Sequence, residues 1–451
     1  MSTIYREAHL TIIAAAGSGP THGLPGVEPC RRPGYPFRHE LVESVRLSAF
    51  PTAAYSANKH LENINDSAWA SRAWTFQEAM FSRRRLIFTE GQIIFNCNKT
   101  MCFEWPLVQE NMRKDFVWSS PGVYKDSSDH VCMIIAQYCT RELSYEEDAL
   151  NAIVSTLNLI QKSNEYHIWG VPFYVLDQCQ VNNLRKLPSK SSSAALLGAS
   201  DERPVELYLE WTNESGGSRK RRQQFPSWSP LGWNPGKIRF SGNKLHRYQG
   251  IVSISTPSGQ KCLSTQTRLA KENPAQISPR ISLVLRTAPV YVYKATSDPM
   301  QDEVALPLDQ GLLVKIGKIK WDQPVEQSCE LKIAQVDDDL RKENFRFLVL
   351  QKHTDRYERI GICISDWNKL KGLANINEVW QEWDRLDIGY YRHLLSAGTG
   401  LQTSGQDRTP RFWQRALIKW KRPKFDFIHV NENDMWGLVR ASLKEEQVIL
   451  A

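Results

Sequence analysis

The chain has 451 residues, of which 41% are hydrophobic and 24% charged, and 57 lysines and arginines against 49 acidic residues give a net charge of +8. This composition is typical of an ordinary globular protein with two or three domains. The longest apolar runs, such as those that begin at Leu10 and Ile281, are far shorter than the roughly 18 residues that cross a bilayer. With no signal-peptide pattern at the N-terminus, we expect no membrane span and a cytoplasmic location.

The cysteines form no pattern that indicates disulfides or a metal site. Nine are scattered along the sequence without a CxxC pair. Cys132 and Cys139 lie seven residues apart in a helical pattern, a rise of about 10.5 Å that is beyond disulfide reach. Cys97 and Cys102 come nearest to a metal-ligand spacing, but neither has a partner pair. We therefore expect reduced, mostly buried thiols, no metal and no bound cofactor.

The first 120 residues alternate helix and strand patterns. A helical stretch ends near Ala8, and "HLTIIAAAG" from His9 is typical of a buried strand that a glycine ends. A Gly/Pro-rich loop follows, "GSGPTHGLPG". The segment "SRAWTFQEAMF" then predicts a helix, and "LIFTEGQIIFNC", Leu86 to Cys97, predicts a tight hairpin with Glu90 and Gly91 at the turn.

The patterns beyond residue 120 predict a helical region and then a strand-rich region. Residues 127–162 carry apolar side chains at helical spacing, and Ser144 with Glu147 is a capping box that starts the second of two packed helices. After Gly236, seven short apolar stretches predict an antiparallel sheet, a sandwich or a partly open barrel. They are "GIVSIST", "ISLVLRT", "PVYVYKAT", "GLLVKIGKIKW", "CELKIAQV", "FRFLVLQ" and "RIGICIS".

Five segments follow from these patterns. Residues 1–120 form an N-terminal α/β region, 121–186 a helical extension, and 187–235 a linker with a tryptophan-rich anchoring segment. Residues 236–368 form a β-rich domain, and 369–451 a mixed segment with an aromatic helix around "INEVWQEWDRL" and a basic stretch near Lys419.

Glu78 is the candidate catalytic residue of the N-terminal region. If the segment is one helix, Trp69 and later apolar residues form a stripe that packs inward, and Glu78 lies on the opposite side between aromatic rings. A carboxylate in that position is partly desolvated, which makes it a candidate acid, base or ribose-binding group. The ligand-binding candidates beside it are Arg72, Trp74 and Arg85.

A structural role for Glu78 is favoured over the chemical one. Thr75-x-x-Glu78 is a capping box, in which the carboxylate reaches back to the backbone N–H of Thr75. The backbone of Thr75 separates the two interpretations, because an extended Thr75 is a cap and a helical Thr75 leaves the carboxylate available.

Two further groups are candidates for binding, and a structural role is favoured for each. The basic run Arg219 to Arg222 could contact phosphates, but without a basic helix or aromatic stripe it is more typical of a solvated loop, so nucleic-acid binding is disfavoured. Trp228 and Trp233, in "FPSWSPLGW", are predicted to be structural anchors, as is Trp69, because large rings on a proline-stiffened segment dominate packing contacts.

Three stretches of the sequence resemble the fungal heterokaryon incompatibility (HET) domain proteins. They are "IYREAHLTIIAAAGSGPTHGLPGV", then "SRAWTFQEAMFSRRRLIFTEGQIIFNC" with its specific Arg-x-Trp-Thr-x-Gln-Glu block, and "YEEDALNAIVSTLNLI" with "FPSWSPLGW". The family carries a further strand, loop and helix upstream of the first stretch. We therefore expect a HET domain that lacks its N-terminal part.

The resemblance implies both a fold and a function. HET proteins are associated with nonself recognition and programmed cell death, and their domain is thought to be distantly similar to flavodoxin-like TIR domains, some of which cleave NAD with a glutamate. We expect an α+β chain with a truncated TIR-like N-terminal region, a helical middle and an antiparallel β-rich C-terminal region. The expected function is signalling through protein partners, with self-association. The alternative is an NAD glycohydrolase with Glu78 as catalytic residue and NAD as substrate, and we expect the incomplete domain to be inactive.

Overall fold

The structure is a computed structural model. It describes residues 2–30, 38–42, 45–49, 63–97, 100–104, 129–160, 164–185, 202–214, 220–234, 236–240, 247–256, 258–294, 302–308, 312–323, 330–336, 344–366, 373–375, 439 and 441–451. Contacts divide the chain into two units. Unit 1 comprises Met1–Ser163 and Trp233–Ile238, and unit 2 comprises Asn164–Gly232 and Arg239–Ala451. The finer division into five segments remains a prediction.

Unit 1 contains a four-stranded sheet and several helices. Among the described helices are α1 (Ser2–Glu7), α2 (Ala68–Ser71), α3 (Trp74–Phe81), α4 (Asp129–Cys139) and α5 (Asn151–Ile160). The strands are β1 (Thr11–Ala14), β2 (Arg38–Val42), β3 (Val45–Ala49), β4 (Arg84–Phe88), β5 (Ile93–Cys97) and β6 (Met101–Phe103). The sheet has the order β1-β4-β5-β6, and β2 pairs with β3 separately. The predicted first helix, first strand and hairpin are thus confirmed, but within β1, the strand predicted to be buried, only Ile13 is buried.

Only one pair in the four-stranded sheet is parallel. Strand β1 runs parallel to β4, whereas β4, β5 and β6 form an antiparallel meander. One face of the sheet carries the core side chains Ile13, Ile87 and Ile94, which pack with Ala70 and Ala79 of the helices. Burial of each isoleucine stabilises the fold by about 1.5–3 kcal/mol. Because parallel strands need a crossover connection, the helices between β1 and β4 follow from this pairing.

The two predicted helices between residues 127 and 162 are confirmed as α4 and α5, but the capping box is not. A 3-10 turn over Glu146–Ala149 precedes α5, and its N-cap is Tyr145, without a side-chain cap. The Glu146 carboxylate accepts instead from Asn234 Nδ2 at 2.8 Å, and the Ala149 carbonyl accepts from the Tyr138 hydroxyl at 2.7 Å. These tertiary contacts replace the local cap, so α5 begins at Asn151.

Unit 2 is rich in antiparallel strands, as predicted. The strands from residue 164 to residue 256 are β7 (Glu165–Ile168), β8 (Val171–Val175), β9 (Val205–Leu207), β10 (Trp211–Asn213), β11 (Lys220–Arg221), β12 (Trp233–Asn234, in unit 1), β13 (Ile238–Phe240), β14 (Tyr248–Gly250) and β15 (Val252–Thr256). The described helices α6 (Gln178–Arg185) and α7 (Thr267–Glu272) also belong to unit 2. A four-stranded sheet has the order β14-β9-β8-β7.

An eleven-stranded sheet forms the larger part of unit 2. Besides β15, its strands are β16 (Gly259–Cys262), β17 (Ile281–Pro289), β18 (Tyr291–Lys294), β19 (Asp302–Leu308), β20 (Leu312–Trp321), β21 (Leu331–Gln335), β22 (Asn344–Lys352), β23 (Tyr357–Asp366), β24 (Leu373–Asn375) and β25 (Lys444–Leu450). Each of the seven predicted stretches overlaps one of these strands. Strand β25 pairs with β17 along its whole length and touches β23 where Leu450 faces Tyr357. The pairings β17-β21-β22-β23-β25 therefore close into a ring.

His167, in β7, is an uncharged buried histidine. It is 1% exposed, and neither ring nitrogen has a hydrogen-bond partner among the described residues. Burial lowers the pKa of His167 to about 4. The ordinary value is 6.5, so between pH 6.5 and 4 the unfolded chain binds a proton that the folded chain does not.

We expect unit 2 to lose stability in this pH range. Its free energy of unfolding should fall by about 1.4 kcal/mol for each pH unit below pH 6.5, by roughly 3 kcal/mol in all, and level off below pH 4. Urea unfolding of the wild type and of His167→Leu at several pH values measures this. The free energy of unfolding of the wild type minus that of His167→Leu should fall as the pH falls from 6.5 to 4. A difference that stays constant with pH would contradict the assignment.

Candidate functional site

Glu78 lies on α3, just after a break between two helices. Helix α2 is capped by Ser67, whose hydroxyl accepts from Ala70 N at 3.1 Å, and it ends where Arg72 becomes extended. Helix α3 starts at Trp74, with Ala73 at its N-cap and no side-chain cap. Two helices thus replace the single predicted helix.

The predicted capping box at Thr75 and Glu78 is wrong. Thr75 lies inside α3, and its hydroxyl is 2.7 Å from the carbonyl oxygen of Trp69 and 2.6 Å from that of Arg72. The same hydroxyl accepts from Arg141 Nη1 at 3.0 Å. Because these contacts use the hydroxyl, it serves no cap, and the Glu78 carboxylate is a side-chain group with other partners.

Side chains from two other helices hold the Glu78 carboxylate. Trp69 Nε1 of α2 donates to Glu78 Oε2 at 3.3 Å. The Tyr5 side chain of α1 also forms a hydrogen bond with this carboxylate. Burial raises the pKa of Tyr5, and the negative charge of Glu78 and the hydrogen bond to it raise that pKa further. The positive charge of Arg72 acts in the opposite direction. Glu78 itself is half-buried. The result is a positioned carboxylate with a neutral indole and a phenol as hydrogen-bond partners.

Arg141 is a member of this cluster that the sequence did not reveal. It follows α4, and its Nη1 donates to the Arg72 carbonyl at 3.1 Å as well as to Thr75, while its guanidinium lies 4.8 Å from the centre of the Phe76 ring. Burial lowers the pKa of Arg141 to about 10, against the opposing charges of Tyr138 and Glu78. No local motif marks this arginine.

The three predicted ligand-binding residues occupy different environments. Arg72 is exposed, and its positive charge acts to lower the pKa of Tyr5. Trp74 is half-buried, one helical turn before Glu78. Arg85 is buried on the core side of β4 and donates from Nη1 to the Ala79 carbonyl at 2.7 Å, and burial lowers its pKa to about 10. Arg72 and Trp74 are thus the two that a ligand could reach.

The Glu78 cluster lies towards the amino ends of the parallel strands. Ser82, which follows α3, places its hydroxyl 2.6 Å from the Glu78 carbonyl oxygen and 2.7 Å from the hydroxyl of Thr11, the first residue of β1. Open α/β sheets bind ligands at the opposite edge, beyond the carboxyl ends of the strands. The position of Glu78 therefore differs from that of a ligand site in such folds.

The predicted anchor tryptophans are packed side chains. Trp228 and Trp233 are 0% and 1% exposed, which fits a structural role. Trp228 Nε1 donates to the Pro279 carbonyl at 3.1 Å, and Trp228 accepts through its own carbonyl from Trp211 Nε1 at 3.0 Å. Trp69 is half-buried against the core of unit 1 and also holds Glu78.

The basic run departs in part from the solvated loop that we predicted, because Lys220 is exposed but Arg221 and Arg222 are not. Arg222 is buried and donates from Nη1 to the Leu231 carbonyl at 2.7 Å. Arg221 donates to the Phe225 carbonyl at 3.0 Å and forms an ion pair with Glu358 at 3.5 Å. These guanidinium groups bind protein atoms, whereas Arg219 and Lys419 lie outside the described residues.

The cysteines and the potential metal ligands among the described residues form no second site. The eight described cysteines are free, and four of them, Cys132, Cys139, Cys262 and Cys363, are buried, so the prediction of mostly buried thiols holds for half. Within the described ranges, no group of three or more His, Cys, Asp or Glu residues could hold a metal ion.

Among the described helices, none is long and apolar enough to cross a membrane.

The comparison with known families bears on the N-terminal segment that carries this cluster. A family model described as Heterokaryon incompatibility protein (HET) matches residues 1–78. The resemblance to HET proteins is confirmed. The matched HET segment contains α1, β1, β2, β3, α2 and the first five residues of α3, and it ends at Glu78 itself. Neither the curated proteins nor the solved structures gave a significant match.

Proposed function

We propose that this chain is a heterokaryon incompatibility-type protein of fungal cells. It acts in the cytoplasm, in nonself recognition and programmed cell death signalling, mainly through interactions with protein partners and with copies of itself. The observation that carries the proposal is the HET match over residues 1–78. The parallel pair β1 and β4, with helices α2 and α3 between its strands, supports a TIR-like or flavodoxin-like origin for the N-terminal sheet.

The surroundings of Glu78 favour interaction over catalysis. Its carboxylate already accepts hydrogen bonds from Trp69 and Tyr5, and the cluster lies towards the amino ends of β1 and β4. A catalytic carboxylate must face the reacting atoms of its substrate. The edge at which open α/β sheets bind substrates is the other one.

NAD cleavage through Glu78 is the second candidate function. The observation in its favour is that Thr75 is helical, so the carboxylate is no helix cap and projects as a half-buried side chain. A carboxylate held by an indole and a phenol could stabilise an oxocarbenium-like centre at the ribose of NAD. Arg72 and Trp74 would then contact the phosphates and the nicotinamide ring.

One experiment separates the two candidates. The full chain is expressed from an inducible promoter in a filamentous fungus, and colony viability and cellular NAD are measured together. We expect viability to fall while NAD stays at the uninduced level, and Glu78→Gln to be as toxic as the wild type. The amide keeps the size of the side chain and its hydrogen bond with Trp69 but removes the charge that an oxocarbenium-like centre requires.

The matched control is Glu147→Gln, which makes the same change at an exposed position of unit 1. A fall in NAD that Glu78→Gln abolishes and Glu147→Gln does not would overturn the interaction proposal in favour of NAD cleavage. Full viability with the wild-type chain, at a protein level confirmed by immunoblot, would contradict the role in cell death.

A further inference from the structure

The carboxyl ends of the parallel strands carry a second polar cluster, which shares no residue with the Glu78 cluster. Strand β1 is followed by the glycine-rich loop that begins at Gly17, and β4 is followed by the hairpin turn at Glu90 and Gly91. Because β1 and β4 are parallel, both ends lie at one edge of the sheet, where Ala15 N donates to the Phe88 carbonyl at 2.9 Å. This is the edge at which open α/β sheets bind ligands.

Two nitrogen atoms of the loop lie close to a single oxygen atom. Gly17 N donates to Glu90 Oε1 at 2.9 Å, and His22 Nε2 lies 3.2 Å from the same Oε1. The loop is shaped for this convergence, because Gly17 has φ +70° and a β-carbon there would lie 2.2 Å from Cγ of His22. His22 therefore packs on the bare backbone of Gly17, and the Gly17 N–H and the His22 imidazole both lie beside one carboxylate oxygen.

The cluster is open to solvent. The side chains of His22 and Glu90 are 35% and 58% exposed, so a ligand can reach the donors and the carboxylate can swing away without leaving a buried charge. Backbone N–H groups of a glycine-rich turn are the usual cradle for phosphate oxygens, and the carboxylate group of Glu90 resembles such an anion in charge and in hydrogen-bond acceptors.

We propose that Gly17 N–H and His22 Nε2 form a binding site for the phosphate group of a ligand, and that Glu90 occupies this site when the ligand is absent. The inference does not depend on the function proposed above. It implies that Glu90 competes with phosphate, so that removal of its carboxylate should strengthen binding. A purely structural brace would give the opposite result, because its loss would only loosen the loop.

Titration of the full chain with inorganic phosphate, followed by 31P NMR or calorimetry, tests the site. We expect Glu90→Ala to bind phosphate at least about tenfold more tightly than the wild type, because two donors become free and a repelling charge is lost. Adding His22→Ala to Glu90→Ala should abolish the gain. A parallel titration with AMP separates a nucleotide phosphate from free phosphate, and binding of either through the same donors supports the site.

The matched control is Glu7→Ala, which removes an exposed carboxylate of α1, before the amino end of β1. An equal gain in Glu7→Ala would reduce the effect to net charge and overturn the proposal. No gain in Glu90→Ala, or a gain that survives His22→Ala, would also overturn it. Glu90→Gln, which keeps the hydrogen bond but not the charge, should show a smaller gain and serves if Glu90→Ala unfolds.

Discussion

Replacing Arg359 by methionine should destabilise unit 2 by about 3–5 kcal/mol, because removal of one partner of a buried ion pair leaves the other partner's charge uncompensated. The guanidinium of Arg359 is fully buried, with Nε 3.2 Å from Asp322 Oδ2. It donates from Nη1 to the Leu209 carbonyl at 2.9 Å and from Nη2 to the carbonyl of Trp211, and it lies 3.5 Å from the centre of the Trp211 ring.

Arg359 thus joins β23 to the segment around β10 through hydrogen bonds and a ring contact, and to Asp322 after β20 through an ion pair. Burial lowers the pKa of Arg359, and the charges of Asp322 and Glu210 oppose that shift. Arg359→Met keeps most of the apolar length of the side chain but none of its donors. Urea unfolding, followed by tryptophan fluorescence, measures the loss.

Two controls make the result interpretable. Arg268→Met removes an ion pair with Glu272 that is exposed to solvent, and it should cost about 0.5 kcal/mol or less. Asp322→Asn combined with Arg359→Met should recover part of the stability, because it neutralises the buried carboxylate. A cost near that of Arg268→Met would contradict the role of the buried pair.

The individual strands of unit 2 could be predicted from the sequence, whereas their pairing could not. Stretches such as "ISLVLRT" and "FRFLVLQ" are short, rich in β-branched or aromatic residues and flanked by polar turns, and each lies on a strand. The pairing of β17 with β25 joins Thr287 to Lys444. No local pattern encodes a contact over that separation, since register depends on which apolar faces meet in the folded sheet.

The failure at Thr75 has the same origin. Thr75-x-x-Glu78 has the residue types of a capping box, and a local pattern cannot tell a cap from a helix interior. The outcome is decided by Arg141, 66 residues away, which donates to the Thr75 hydroxyl. The site itself was partly predictable, because Glu78, Trp74 and Arg72 were identified from the sequence, whereas Arg141 was not.

The basic run shows how a charge pattern can mislead. Four consecutive cations are typical of a solvated surface, since burial of a guanidinium group without acceptors is costly. Here carbonyl groups of the following turn, at Phe225 and Leu231, supply those acceptors. The turn is visible in the sequence as "FPSWSPLGW", but the direction of its carbonyl groups is not.

Replacing Trp228 by alanine should cost unit 2 about 3–5 kcal/mol, the range for removal of a buried aromatic side chain. The ring is 0% exposed, and the variant leaves the Pro279 carbonyl without the indole donor that lies 3.1 Å away. Trp228→Phe keeps a large ring and loses mainly the hydrogen bond, so it should cost about 1–2 kcal/mol.

The comparison of these two variants separates the packing of the ring from its hydrogen bond, and the burial of the ring argues against ligand binding. A role of Trp228 in binding, the alternative to an anchor, needs an exposed ring face on which a ligand stacks, and the enclosed ring has none. Its substitution should therefore lower the urea midpoint and leave the phosphate titration of the wild type unchanged. Both variants retain the hydrogen bond from Trp211 Nε1 to the backbone carbonyl at this position. Equal losses of stability in the two variants would therefore place the stabilisation in the hydrogen bond to Pro279 and not in the packing of the ring.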